Sequence, residues 1–254
     1  MKNTRAKLNN HPLYLLWLGF RSTIFWIGFA GITILAGLIT PILYLLPASM
    51  QYKILLAWPH FNIWLLKVVC GLKYQVHGLD SIDFKNNAII LPNHQSTWET
   101  MYIPTIFPSM SWVLKKELYK IPFYGWALPL LSPIGIDRGA GRSAVEQVKA
   151  NGKQRLDEGK WVCIFPEGTR VAPGVKARYK MGGAILASYS KYPVYPVAHN
   201  AGECWPRNTF IKRPGLITVS IGPKIETDGL EPSEINNAVR TWIEVELEKL
   251  PTVR

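Results

Sequence analysis

Ser22 to Leu46 is the stretch that most restricts what this chain can become. Apart from Ser22, Thr23, Thr33, Thr40 and Pro41, its 25 residues are all apolar, aromatic or glycine. As helix the stretch would be about 37 Å long, against a bilayer hydrocarbon core of about 30 Å. A cleaved leader would carry an apolar run of about 15 residues closing on small side chains; this one closes on Leu45-Leu46-Pro47. A second apolar segment, Ile54 to Val69, is broken by Pro59, His60, Asn62 and Lys67. It makes a poor lone span and a better interfacial or re-entrant helix, with Trp58 and Trp64 at headgroup depth. Lys2, Arg5, Lys7 and Arg21 lie ahead of the first segment and mark that end as cytoplasmic. Residues 1–72 are therefore expected to anchor the chain as an N-terminal two-helix membrane hairpin, integral or monotopic through residues 22–70. Residues 73–254 would then stay on the cytoplasmic face of the (inner) membrane.

From Lys73 onward short apolar runs alternate with helical patterns. The candidate strands are Lys73–His77, Ala88–Leu91, Trp112–Leu114, Pro133–Ile136, Trp161–Phe165, Val194–Ala198 and Leu216–Ile221. Helical stretches fall at Glu99–Phe107, Ala144–Glu158 and Lys180–Tyr189, the second opened by a capping box, Ser143-x-x-Glu146. Ser233–Leu250 sets Ile235, Val239, Trp242, Ile243 and Leu250 on one face and acids opposite, the pattern of a packing helix. Strands alternating with helices predict an α/β domain with a mostly parallel central sheet flanked by helices. Lys and Arg outnumber Asp and Glu by 29 to 17, so the chain suits an anionic partner: nucleic acid, a lipid surface or a phosphorylated substrate. Cys70, Cys163 and Cys204 are odd in number and far apart, as expected of a reducing compartment, and neither they nor the five His residues have metal-ligand spacing.

Four of the apolar runs lead into polar clusters. Ala88-Ile89-Ile90-Leu91 runs into Pro92-Asn93-His94-Gln95-Ser96-Thr97-Trp98-Glu99. Five residues of ideal helix turn about 500°, so His94 and Glu99 can meet only if the histidine lies in the turn and the acid on the helix after it. The carboxylate then fixes one ring nitrogen and leaves the other to act as a base. Lys115-Lys116 follow Trp112–Leu114. Gly135-Ile136-Asp137-Arg138-Gly139-Ala140-Gly141-Arg142 offers glycines for close backbone approach and arginines for an anion, though it matches no nucleotide motif. Val162–Phe165 leads into Pro166-Glu167-Gly168-Thr169-Arg170, a tight turn carrying a carboxylate, a hydroxyl and a guanidinium. Parallel sheets collect such loops in one crevice beyond the strand ends.

In order and spacing, Asn93-His94-Gln95-Ser96-Thr97-Trp98-Glu99, Gly135-Ile136-Asp137-Arg138, Phe165-Pro166-Glu167-Gly168-Thr169-Arg170 and Val194-Tyr195-Pro196-Val197 resemble the glycerolipid acyltransferases, above all the bacterial 1-acyl-glycerol-3-phosphate acyltransferases. The likeness spans roughly residues 73–225. It implies acyl transfer from a thioester, acyl carrier protein (acyl-ACP) or coenzyme A (acyl-CoA), to the sn-2 hydroxyl of lysophosphatidate, giving phosphatidate for phospholipid biosynthesis. It implies His94 as general base and Glu99 as its orienting partner. Arg138, Glu167, Gly168, Thr169 and Arg170, with Lys115 or Lys116, would serve the glycerol phosphate. No cofactor is implied beyond the thioester co-substrate. Most members of the family carry Asp where this chain has Glu99, which changes the reach by one methylene. Amides near residues 95–99 are expected to face the oxyanion.

Other classes fit less well. A lipid hydrolase would carry GxSxG, and Ser96, Ser143, Ser188 and Ser220 lack the flanking glycines. A non-catalytic membrane-surface protein binding anionic lipids satisfies the charge but gives the polar turns no purpose. Nucleic-acid binding has the charge and no reading motif.

Overall fold

The computed structural model describes residues 11–137 and 139–252. Lys2, Arg5, Lys7 and Arg138 lie outside the described residues. The first helix, α1 (Pro12–Leu43), starts ten residues ahead of the expected segment, with Pro12 at its first turn, where a missing amide costs nothing. The second segment is helical from Ala48, earlier than expected, and comes in pieces: α2 (Ala48–Leu55), α3 (Ala57–Leu65) and a π-helical turn (Leu66–Cys70). The return segment pairs antiparallel with α1. Arg21 bonds the Val69 carbonyl, Trp58 Nε1 donates to Thr33 Oγ1 at 2.9 Å, and Phe29 meets Trp58 edge-on. Both Pro12–Leu43 and Ala48–Cys70 are long and apolar enough to cross a membrane.

Beyond them come β1 (Leu72–His77), β2 (Ile89–Pro92), α4 (Trp98–Ile106), β3 (Met110–Lys115), α5 (Tyr124–Ala127) and β4 (Ile134–Ile136). The chain continues with α6 (Arg142–Asp157), β5 (Trp161–Cys163), α7 (Gly182–Ser190), β6 (Val194–His199), α8 (Ala201–Cys204), β7 (Gly215–Ile221) and α9 (Pro232–Lys249). All seven expected strands form, and they make one sheet in the order β1-β7-β6-β2-β5-β3-β4. Every neighbouring pair is parallel except β6–β7. β2 sits at the centre and is buried on both faces, so its residues read as an unbroken apolar run. Alternate residues feed two cores. Ile90 joins Trp98, Met101, Phe107, Trp161 and the α1 residue Phe25 on one side; Ile89 and Leu91 join Leu186, Val239 and Ile243 on the other.

The expected capping box at Ser143 does not form. Gly141, with φ 53°, caps α6 one residue ahead of Arg142, so Ser143 lies inside the first turn and its hydroxyl faces Gln147. Where a box does close is α9, with Glu234 accepting the Glu231 amide at 2.8 Å.

Helix α1 is docked on the domain along its length. Its residues Leu18, Ser22, Phe25, Gly37, Thr40 and Leu43 are buried. A Cβ on Gly37 would come within 2.5 Å of Phe123 Cα, so only glycine lets the helix approach this loop. Further along, Lys212 is 1% exposed and its ammonium sits 3.6 Å from the ring centre of Trp26, with Trp205, Phe25 and Phe210 at 4.5, 4.8 and 5.6 Å. Its backbone amide donates to Ser22 Oγ at 2.9 Å. Desolvation brings the Lys212 ammonium down to a pKa of about 7. The opposite side of α1 is bare: Leu13, Leu16, Ile27, Leu38 and Ile42 are each at least 60% exposed.

Candidate active site

Strands β2, β5, β3, β4 and β6 run the same way, so the loops after them emerge at one edge of the sheet. His94 lies in the turn after β2 and Glu99 is the second residue of α4, the arrangement their spacing demands. His94 Nδ1 donates to Glu99 Oε1 at 2.7 Å. The same oxygen accepts the amides of Gln95 and Ser96 at 2.9 and 2.8 Å. One buried carboxylate thus orients the ring and fastens the turn at the positive end of α4. Burial opposes its charge, but the hydrogen bonds from His94 and the Ser96 amide outweigh that and hold the carboxyl below the ordinary carboxylate range. The Phe165 ring stacks on the His94 ring with centroids 4.0 Å apart and 21° between planes.

Three amides expected to face an oxyanion are committed elsewhere. Those of Gln95 and Ser96 go to Glu99, and that of Trp98 goes to Ser96 Oγ at 3.2 Å. The carboxylate takes two of these donors, as the first turn of a helix favours an anion, and the Ser96 hydroxyl takes the third.

The turn after β5 wraps round His94. Glu167 Oε2 accepts the His94 amide at 2.7 Å, and the His94 carbonyl accepts the Val171 amide at 2.8 Å. Burial, reinforced by the nearby Glu99, pushes the Glu167 carboxyl up to about 8. At neutral pH it is largely protonated and retains an O–H to give. Gly168 has φ 66°, and a Cβ there would also come within 2.8 Å of Lys180 Cε, so the lysine lies across the turn. The Thr169 side chain is exposed. Arg170 Nη1 donates to Thr97 Oγ1 at 2.8 Å, which ties the guanidinium to the histidine turn, and Arg207 donates to the Arg170 carbonyl at 3.1 Å.

His94, Glu99, Glu167, Gly168 and Arg170 therefore form one cluster. Lys115 and Lys116 emerge from the neighbouring strand β3, about 5 Å along the sheet from β5. They pair with Glu117 at 3.5 Å and Asp137 at 2.5 Å rather than with the histidine cluster. The Lys116–Asp137 pair lowers the Asp137 carboxyl and raises the Lys116 ammonium, and it ties the ends of β3 and β4 together. Sequence reasoning passed over Phe165 as a stacking partner, Lys180, and His199, which is wholly buried behind the turn. Register could have revealed the last: β6 pairs in parallel with β2, so its end must meet the residues that follow Pro92. The three cysteines are buried as free thiols, and among the described residues no group of three His, Cys, Asp or Glu side chains is placed to hold a metal ion.

The family model described as Acyltransferase matches residues 73–200. A 1-acyl-sn-glycerol-3-phosphate acyltransferase from Pseudomonas aeruginosa is 43% identical over 203 residues, covering 78% of this chain and 79% of the relative. One from Limnanthes douglasii is 29% identical over 209 residues, 78% of this chain and 74% of its own. The crystal structure of the 1-acyl-sn-glycerophosphate (LPA) acyltransferase PlsC from Thermotoga maritima shares the fold, with a TM-score of 0.77 at 21% identity over 92% of this chain and 96% of that one. A histidine–carboxylate pair at the carboxyl edge of a parallel sheet and these matches lead to one conclusion: the chain belongs to the acyltransferase family.

Proposed function

We propose that this protein transfers a fatty acyl group from a thioester, acyl-ACP or acyl-CoA, to the sn-2 hydroxyl of 1-acyl-glycerol-3-phosphate, giving phosphatidate. The observation that carries the mechanism is the 2.7 Å contact between His94 Nδ1 and Glu99: a carboxylate acceptor favours the proton on that nitrogen, which supports Nε2 as the base. The acceptor oxygen gives its proton to Nε2 as it bonds to the thioester carbonyl carbon. The carbon–sulfur bond then breaks, and the imidazolium returns the proton to the departing thiolate. Glu99 stabilises the imidazolium while it exists. No Ser or Cys nucleophile is needed, because the acceptor hydroxyl is itself the nucleophile.

Arg170, held on the histidine turn by Thr97, is the group best placed to fix the acceptor's phosphate relative to His94. Glu167, largely neutral, can donate to the glycerol phosphate without repelling it. Lys115 and Lys116, at the end of β3, extend the cationic side of the site, and Arg138 is assigned to the same phosphate by the family resemblance alone. The bare face of α1 supports an anchor in the lipid that holds both acceptor and product, and the lysines and arginines ahead of the apolar segment favour the cytoplasmic face for the site.

Purified protein incubated with a thioester donor and a panel of lysolipids, products read by mass, tests the reaction. The expected result is phosphatidate from lysophosphatidate, with His94→Ala losing turnover and keeping membrane association. Turnover retained in His94→Ala would end the general-base assignment. A thiol reagent confined to the outer face should fail to label a cysteine placed at Ala48, the first residue of the second apolar segment; labelling there would refute a re-entrant anchor that never reaches the outer face.

A further inference from the structure

Asn93 and His199 close a ring of hydrogen bonds directly behind His94. In the parallel ladder of β2 and β6, Pro92 lies opposite Val197. The ladder continues past the end of β2, with the Asn93 amide donating to the Val197 carbonyl at 3.1 Å. One step on, the Asn93 side chain takes the place of backbone. Its Nδ2 donates to the His199 carbonyl at 3.0 Å, and its Oδ1 accepts the His199 amide at 2.9 Å. The imidazole answers: Nε2–H donates to the Asn93 carbonyl at 2.8 Å, and Nδ1 accepts the Ala201 amide at 3.3 Å. These partners fix the tautomer, since a carbonyl must receive a proton and an amide must give one. Asn93 and His199 are both 0% exposed, and burial holds His199 neutral.

The carbonyl of Asn93 and the N–H of His94 belong to one peptide unit. His199 grips its oxygen and Glu167 grips its hydrogen. Rotation of that plane is the backbone motion that would swing His94 away from a substrate. Glu99 holds the ring at Nδ1 and the Gln95 and Ser96 amides that follow it, and leaves the 93–94 peptide itself to His199 and Glu167.

We propose that His199 is a positioning residue for acyl transfer: its bond to the Asn93 carbonyl sets the peptide plane that carries His94 and so aims the imidazole at the acceptor hydroxyl. This rests on His94 being the base of the proposed reaction and deepens that reading. Three variants separate aiming from simple packing. His199→Gln keeps an N–H able to reach the Asn93 carbonyl, His199→Leu fills the space without a donor, and His199→Asn carries a donor too short to reach.

Two measurements are made on each, kcat and KM for acyl transfer and the exchange rate of the His94 amide hydrogen in the absence of substrate. Misplacement by about 1 Å costs about a hundredfold, so Leu and Asn should lower kcat by about that factor with KM within about threefold. They should also speed exchange at His94 by more than about tenfold. Gln should recover most of both. Wild-type kcat in Leu and Asn, or Gln no better than Leu, overturns the proposal. Exchange reads the clamp whether or not acyl transfer occurs. A wild type that moves no acyl group therefore refutes the reaction, whereas unchanged His94 exchange in Leu and Asn refutes the clamp. Should Leu fail to fold, Asn supplies the same comparison.

Discussion

Glu99 reaches His94 with little to spare, and shortening it by one methylene is the most revealing change to make. Glu99→Asp withdraws the carboxylate by about 1.3 Å. The present separation of 2.7 Å then opens to about 4 Å, beyond hydrogen-bond range. A hydrogen bond to a charged group contributes about 1.5–3 kcal/mol, and about 1.4 kcal/mol is a factor of ten in rate. The expected loss in kcat is therefore about 10- to 150-fold. Glu99→Gln isolates the other half of the interaction. Its oxygen can still accept from His94, Gln95 and Ser96, but the imidazolium formed during transfer loses its counter-ion. Its amide nitrogen also replaces Glu99 Oε2, a buried atom with no hydrogen-bond partner among the described residues, which should cost a further 1–3 kcal/mol or so of folding stability. Release of free thiol from an acyl-thioester donor, followed continuously with a chromogenic thiol reagent, gives kcat and KM for both variants. Each should lose kcat with little change in the acceptor KM. An Asp variant within threefold of wild type would show that the reach of the carboxylate is irrelevant, and the dyad mechanism would fall with it.

Glu167 makes stability depend on pH in an unusual sense. Its folded pKa of about 8 lies above the ordinary value, so the folded state holds the extra proton and stability is full at acid pH and drains away as pH climbs towards 8. Glu167→Gln cannot ionise and should raise Tm at pH 8.5 while changing it little at pH 4.5; equal shifts at both values would contradict the burial effect. Arg170→Ala should raise the acceptor KM by about tenfold or more for lysophosphatidate and leave a neutral monoacylglycerol acceptor unaffected, and an equal effect on both would remove Arg170 from the phosphate. Gly37→Ala should lower Tm by an amount equivalent to about 1–3 kcal/mol, because its methyl would overlap Phe123, whereas Gly31→Ala, with nothing within 4 Å, should be neutral or mildly stabilising.

The strands were legible because each is a short apolar run bounded by turn residues, and the dyad was legible because a five-residue gap admits only one geometry. What the sequence hid has a common cause. Glu167 grips a backbone amide, and every non-proline residue offers one, so no side-chain pattern announces the contact. His199 meets Asn93 only through strand order, and order follows from long-range packing rather than from local texture. Ser143 and Glu146 carry a capping signature that a glycine at positive φ, two residues ahead of the serine, overrides. Pro12 was a helix-start signal set too far from the apolar run to be connected with it.

The caged ammonium of Lys212 bears on how this enzyme can be handled. Two of its four rings come from α1 and two from the loop between β6 and β7, and Phe25 enters the same core as the sheet. A shortened protein starting at residue 73 would leave that cation facing solvent on two sides and strip one wall from the interior. Removing the apolar helices to gain solubility should therefore yield aggregates, and purification has to retain the anchor and supply it with detergent or lipid.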